Sequence, residues 1–207
     1  MRKIKTIMLD LGGVVITLDS QQAVDRFSQI GLRDAGKQLD PYTQGGIFGA
    51  LESGEITDLE FVDAFSRLAG SPVTPEQCFW AWLGYCGEVP GRNLRRIRQF
   101  SQDGYRMVLV SNTNPFMMKW AMSDLDGKGH GVGYFFDKLY LSYKIKAMKP
   151  DPKFFQTVIE GEKIDPAEAL FVDDGPRNVE AAKKLGFNVF CPKNGDDWTK
   201  EIDNYLK

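Results

Sequence analysis

Ile7-Met8-Leu9-Asp10-Leu11-Gly12-Gly13-Val14-Val15 decides how the rest of the chain is read. An apolar run stops at one aspartate, two glycines follow, and an apolar run resumes. That pattern is a buried strand running into a loop. In an open parallel sheet, ligands bind just beyond the carboxyl ends of the strands. Asp10 falls at such a place, and Gly12 and Gly13 let the backbone turn tightly around a ligand. Taken alone, the stretch favours an aspartate that merely ends a strand. Three later stretches shift the balance.

On the amino side, Arg2, Lys3 and Lys5 precede the apolar run as they would in a secretory leader. Asp10 interrupts that run early, and no small-residue cleavage site follows, so the segment reads as a first strand and the expected location is cytoplasmic. No apolar stretch approaches the ~20 residues that span a bilayer. On the carboxyl side, from about Asp19 to Glu88, the periodicity turns helical. Val24, Phe27 and Ile30 share a face, and Leu59, Val62 and Phe65 recur at threes with Phe61 and Leu68 widening the stripe. Thr57 or Asp58 is placed to cap that second helix. Phe61, Phe65, Phe79 and Trp82 read as core, while Phe48, Trp80 and Trp82 are also candidates to line the mouth of a site.

After Pro90-Gly91 the pattern alternates between helix and strand. Strands are expected at 106–110, 139–143, 169–172 and 188–191, and helices at 93–102, from Pro115, at 153–160, 178–185 and 198–206. Alternation of this kind implies an α/β fold, a parallel sheet covered on both faces. The expected organisation is a Rossmann-like, three-layer core from residues 1–18 and 89–207, with residues 19–88 forming a separate helical insert.

Composition sets the limits. The chain has 207 residues, 43% apolar and 26% charged, with a net charge of −2. That describes an ordinary globular protein with no electrostatic case for nucleic acid or membrane partners. Three cysteines, Cys78, Cys86 and Cys191, are too sparse for a disulfide framework and have no ligand-spaced histidine, so they read as free thiols. His130, the single histidine, sits in a glycine-rich surface loop.

Chemistry gathers at three strand ends and one turn. Asp10 ends the first strand, Ser111-Asn112 the next, and Asp173-Asp174 a later one, while Lys149 lies in the turn Lys149-Pro150-Asp151-Pro152. Carboxylates from separate strands suit magnesium, which prefers oxygen ligands. Such an ion offsets phosphate charge and lets a carboxylate approach phosphorus. The Ser111 hydroxyl and nearby amides can donate to phosphate oxygens, and Lys149 adds positive charge. Asp10 is then placed to act as a carboxylate nucleophile. Lys144 and Lys146 compete for the role of Lys149, but the proline-rich turn favours Lys149. Asp151 reads as a helix-start residue.

These segments resemble the haloacid dehalogenase-like hydrolase superfamily. Leu9 to Val15, Val110-Ser111-Asn112, Lys149 to Pro152 and Phe171-Val172-Asp173-Asp174-Gly175-Pro176-Arg177-Asn178 fall in the family's order and cover nearly the whole chain. The helical insert resembles the family's cap domain. Gly54-Glu55-Ile56-Thr57 and Ser111 to Asn114 resemble most the branch that includes α-D-glucose-1-phosphate phosphatases. The resemblance implies Mg2+ as cofactor and a small phosphorylated metabolite as substrate. It implies Asp10 as nucleophile and metal ligand, Gly12 as a carbonyl ligand, and Ser111, Asn112 and Lys149 as phosphate-binding residues, Lys149 also steadying the nucleophile. Asp174 is the expected second metal carboxylate with Asp173 behind it, although the resemblance leaves the order of that pair open.

One position departs from the pattern. Most phosphatases of the superfamily carry an aspartate two residues after the nucleophile, which protonates the leaving oxygen and later activates water. Gly12 does neither. General acid–base help is worth ~10²–10⁴-fold, so the chain is expected to favour a substrate with a good leaving group, such as a sugar 1-phosphate, or to take its acid from elsewhere, with Asp19 one candidate. Two other readings follow: a phosphometabolite-binding or regulatory protein with little turnover, and a metal-independent 2-haloacid dehalogenase.

Overall fold

The computed structural model describes residues 3–39 and 45–206. Residues 1–2, 40–44 and 207, including Arg2 of the basic start and a short piece of the expected insert, lie outside the described residues.

In chain order the elements are β1 (Thr6–Leu9), α1 (Ser20–Gln29), α2 (Ala35–Gln38), α3 (Gly46–Glu52), α4 (Asp58–Ala69), α5 (Pro75–Trp82), α6 (Gly91–Gln102), β2 (Arg106–Ser111), α7 (Pro115–Ser123), β3 (Lys138–Leu141), α8 (Ser142–Ile145), α9 (Pro152–Glu162), β4 (Ala169–Val172), α10 (Pro176–Lys184) and β5 (Asn188–Phe190). The five strands form one parallel sheet in the order β3-β2-β1-β4-β5. The first strand is therefore the centre of the sheet, and Leu9 lies beside Leu109 on one side and Val172 on the other.

The strands are apolar on both faces because both faces are covered. Ile7, Leu9, Met107, Leu109, Leu170 and Val172 pack to one side, with Ile97 and Phe100 of α6 and with Trp198 and Ile202. Met8, Val108, Val110 and Phe171 point the other way, into Phe154, Phe155 and Val158 of α9 and Ala182 of α10. The period-two alternation of each strand thus feeds two separate cores, and the architecture is a three-layer α/β/α sandwich.

Across residues 19–88, between β1 and α6, the described residues of the chain form five α-helices, α1 to α5, and no strand of the sheet. It leaves and returns side by side: Thr17 N–H donates to the Glu88 carbonyl and Gly87 N–H to the Thr17 carbonyl, both at 2.9 Å. The helices pack around Phe27, Phe48, Phe61, Phe65 and Trp82, whose ring centroids lie 5.3–6.3 Å apart in mostly edge-on pairs. Each ring so buried contributes roughly 1.5–3 kcal/mol. Thr57 makes the cap of α4 by a reciprocal pair with Glu60, so Asp58 is the first helical residue rather than the cap.

Several expected details differ. Leu59 and Leu68 are 66% and 44% exposed; the buried stripe of α4 is Phe61, Val62 and Phe65, and the two leucines fall off its edges. Phe48 is sealed in the aromatic cluster, and Trp80 lies outside under the Arg26 guanidinium. Phe79 is only half-buried, with Lys119 over its ring. The third strand stops at Leu141, because the Ser142 hydroxyl turns back to bond both Thr113 N–H and the Thr113 carbonyl. The last strand ends at Phe190, with Cys191 exposed. The closing helix is two short 3-10 turns, Trp198–Lys200 and Ile202–Tyr205, anchored where the Trp198 indole donates to the Val14 carbonyl at 2.7 Å.

Candidate active site

Parallel pairing puts the carboxyl ends of β1, β2 and β4 side by side. Asp10 N–H still donates to the Val172 carbonyl at 2.9 Å, so the aspartate starts its loop from a fixed point. Beyond it, Val15 and Ile16 N–H both return to the Leu11 carbonyl, and the Asn93 side chain donates to the Val14 and Val15 carbonyls. This pins the apolar half of the loop. Gly13 adopts φ +73°, and a Cβ there would lie 2.1 Å from an Asp174 carboxylate oxygen. The loop after β1 and the loop after β4 are thus in backbone-to-carboxylate contact, which only glycine permits.

Lys149 reaches this point from the far side of β2. Its ammonium is fully buried and lies 3.0 Å from Asp10 Oδ2 and 2.6 Å from Asp173 Oδ2, while donating to the Val110 carbonyl at 2.8 Å. Lys144 and Lys146 are exposed. The Asn112 side chain is spent on the lysine turn: its Nδ2 donates to the Lys149 carbonyl and its Oδ1 accepts from Lys149 N–H, both at 2.8 Å. The Asn112 side-chain amide thus holds the lysine in place. Ser111, at the end of β2, is buried and lines the pocket, as does Asn112. Asp151 caps α9 by accepting from Lys153 N–H.

Asp10, Asp173 and Asp174 each present a carboxylate oxygen within 4.8 Å of the others. Asp173 accepts from Lys149, Gly175 N–H and the Asn178 amide and is wholly buried. Asp174 lines the pocket with Asp10 and Gly12. Burial pushes the Asp10 carboxyl well above the usual aspartate range; Lys149 pulls it down, and Asp173 and Asp174 push it up again. Burial works against the charge of Lys149, but Asp10 and Asp173 outweigh it and hold the ammonium above its ordinary value. Asp10 and Asp173 pair with the Lys149 ammonium, and Asp174 brings a third carboxylate to the same cluster. An all-oxygen donor set suits magnesium, so the residues present fit that ion.

The pocket above these groups has a volume of about 350 Å³, the size of a small-metabolite site. Its floor is Asp10, Gly12, Ser111 and Asp174, and the start of α10 contributes Gly175 to Asn178. A helix N-terminus directed into a pocket favours an anion. The other wall carries Ile16, Leu18, Trp82, Tyr85 and Met117. Of the aromatic residues proposed for the mouth, Trp82 alone is there. Asp19 is not among the lining residues; its carboxylate caps α1, accepting from Gln22 N–H at 2.9 Å. Arg96 and Arg98 stack on Phe100 and Tyr134 along α6, and His130 pairs with Asp126 at 2.8 Å, all away from the pocket.

One lining residue escaped the sequence reading. Glu52, the last residue of α3, is buried, and burial raises its carboxyl from 4.5 to about 7, against a weaker downward pull from the Asn114 amide. The α3 segment, Gly46-Ile47-Phe48-Gly49-Ala50-Leu51-Glu52, is under two turns long and holds two glycines, so no periodicity announces it. The available signal was an acid next to the Gly54 turn. At Gly54, φ is +70° and a Cβ would lie 2.1 Å from the Tyr143 carbonyl.

Comparison with known proteins agrees with this geometry. Residues 4–186 match the model of the haloacid dehalogenase-like hydrolases. D-ribitol-5-phosphate phosphatase of Bacteroides thetaiotaomicron is 42% identical over 96% of this chain and 97% of its own. A predicted HAD-like family hydrolase from Porphyromonas gingivalis superposes with a TM-score of 0.94 at 38% identity, covering 100% and 99% of the two chains. A HAD family enzyme of Bacteroides thetaiotaomicron, solved with magnesium and inorganic phosphate, gives 0.88 at 34% identity over 96% and 99%. The chain belongs to the haloacid dehalogenase-like hydrolase family.

Proposed function

We propose that the protein is a magnesium-dependent phosphatase of a small phosphorylated metabolite, working through a phosphoryl group carried on Asp10. The observation that carries the reading is the buried Lys149 ammonium bridging Asp10 and Asp173 beneath a pocket that Asp174 also lines. In this reading Asp10, the Gly12 carbonyl and Asp174 hold the magnesium ion, which supplies charge neutralisation at the phosphate. Lys149 aligns the Asp10 carboxylate and meets the phosphate charge, with Asp173 and the Asn112 amide keeping the lysine in place. Ser111 and the start of α10 donate to phosphate oxygens. Residues 19–88 act as a cap that closes over the substrate and excludes water. An excess of buried negative charge suits a cation and phosphate better than a neutral haloalkyl carbon, which disfavours the dehalogenase reading.

For the substrate we infer a phosphate ester of a small polyhydroxy alcohol. The support is the relative named for D-ribitol 5-phosphate and a pocket of about 350 Å³. The sugar 1-phosphate expected from the sequence finds no such support. A 5-phosphate of an alditol is an ester of a primary alcohol, so the argument that Gly12 selects a good leaving group does not apply to it.

The test is phosphate release from a panel of polyol and sugar phosphates, with and without magnesium, beside Asp10→Asn. Magnesium-dependent release that vanishes in the variant is expected. No release above the variant on any compound would replace this reading with that of a phosphometabolite-binding protein.

A further inference from the structure

Resting on the phosphatase reading, we propose that Glu52 is the general acid–base residue of the reaction, supplied from the helical insert in place of the one missing at position 12.

The vacancy at Gly12 is built into the packing. A Cβ at Gly12 would meet the Leu18 side chain at 3.0–3.3 Å, and Leu18 itself lines the pocket. A side chain at position 12 would therefore have to displace the end of Leu18. Of the other acids lining the pocket, Asp10 faces Lys149 and Asp174 packs against Gly13. Glu52 is left. It comes from the insert while Asp10 comes from the sheet, so the two enter the pocket from different layers. In-line displacement sends the leaving oxygen away from the attacking carboxylate, and in this proposal the acid that lines the pocket from the insert meets it there.

The surroundings of Glu52 suit proton transfer. Among the described residues no ionised partner holds it. Asp58, Glu60 and Asp63 on α4 and Tyr143 and Lys144 on α8, the helices packed against α3, do not act on its carboxyl, nor do Asp10 or Lys149. What acts on it is burial, which lifts it to about 7, and the Asn114 amide. A carboxyl titrating near neutrality can serve as acid and then as base. Asn114 Oδ1 accepts from Phe116 and Met117 N–H at 3.1 Å, and its buried Nδ2 has no hydrogen-bond partner of normal geometry among the described residues. Asn114 is thereby fixed beside Glu52 with a donor to spare for the ionised form.

The steps balance. In the first, Asp10 bonds to phosphorus, the ester P–O bond breaks, and the Glu52 proton passes to the departing alkoxide. In the second, water bonds to phosphorus, Glu52 takes its proton, and the Asp10–phosphorus bond breaks. The products are the alcohol and inorganic phosphate, with Glu52 protonated again.

The experiment is steady-state and burst kinetics of wild type and Glu52→Gln, in magnesium, on an alditol phosphate and on p-nitrophenyl phosphate, whose leaving group needs no proton. For the variant, kcat/KM on the alditol phosphate should fall ~10²–10⁴-fold, while kcat/KM on the aryl ester stays within about threefold. The aryl ester should also give a burst of about one nitrophenolate per active site followed by slow turnover, because water attack then lacks its base. Equal losses on both esters, a change in KM alone, or no loss would overturn the proposal. The wild type gives a second measure that needs no variant: above about pH 7, kcat/KM should fall for the alditol phosphate and not for the aryl ester, and identical profiles would overturn it. A wild type that turns over neither ester would instead refute the phosphatase reading, and the proposal with it.

Discussion

Glu52→Gln should make the protein more stable at neutral and alkaline pH, and the size of the gain follows from where the carboxyl sits. In the unfolded chain it titrates at an ordinary 4.5; in the fold, burial lifts it to about 7. Between those values the folded state binds more protons than the unfolded state, so stability falls as pH rises. At ~1.4 kcal/mol per pH unit, the ionised carboxylate costs the fold about 3 kcal/mol once pH exceeds 7. Glutamine keeps the shape and removes the charge. The variant should therefore match wild type near pH 4.5 and pull ahead through pH 7, reaching a plateau of ~2–3 kcal/mol after a small loss for burying the amide. The assay is urea unfolding in EDTA at half-unit steps from pH 4.5 to 9, read as wild type minus variant. Asp10, Asp173 and Asp174 are common to both proteins and cancel in that difference. A difference that stays flat across the range would show that Glu52 is not buried as described, and would remove the physical basis for its use as an acid.

Lys149→Met strips the ammonium from the buried Asp10–Asp173 pair; it should abolish turnover and cost about 3–5 kcal/mol by urea unfolding, and an unchanged midpoint would contradict the pairing. Asn112→Ala removes both 2.8 Å bonds to the Lys149 backbone; kcat should fall at least tenfold with KM little changed and a stability loss of ~1–3 kcal/mol, whereas a rise in KM alone would return the side chain to phosphate binding. Magnesium at 100 times its Kd should stabilise wild type by ~2.7 kcal/mol. That gain should be absent in Gly13→Ala, whose methyl would displace Asp174; an equal magnesium shift in the variant would show that Asp174 holds no ion.

The core was legible in the sequence because strand and ligand site are both local patterns. An apolar run ending at Asp10, another at Ser111 and a third at Asp173 identify strands and their chemistry together, since parallel strands covered on both faces must be apolar throughout. Lys149 was legible from its proline-rich turn. Boundaries were less so: Ser142 looked like strand until the structure brought its hydroxyl to the Thr113 backbone, a contact 29 residues away in the chain. Nothing local shows that the Asn112 amide meets Lys149, 37 residues on. Glu52 was invisible for the same reason. One acid on a short, glycine-bearing helix carries no pattern, and its character comes from the burial and the Asn114 amide that folding gives it. Sequence alone determined the order of strands and helices and the family, because those rest on periodicity and spacing. Tertiary structure alone decided which carboxylate faces the lysine, which lines the pocket, and which acid lies buried on the insert side, because burial and charge pairing exist only once distant segments are packed together.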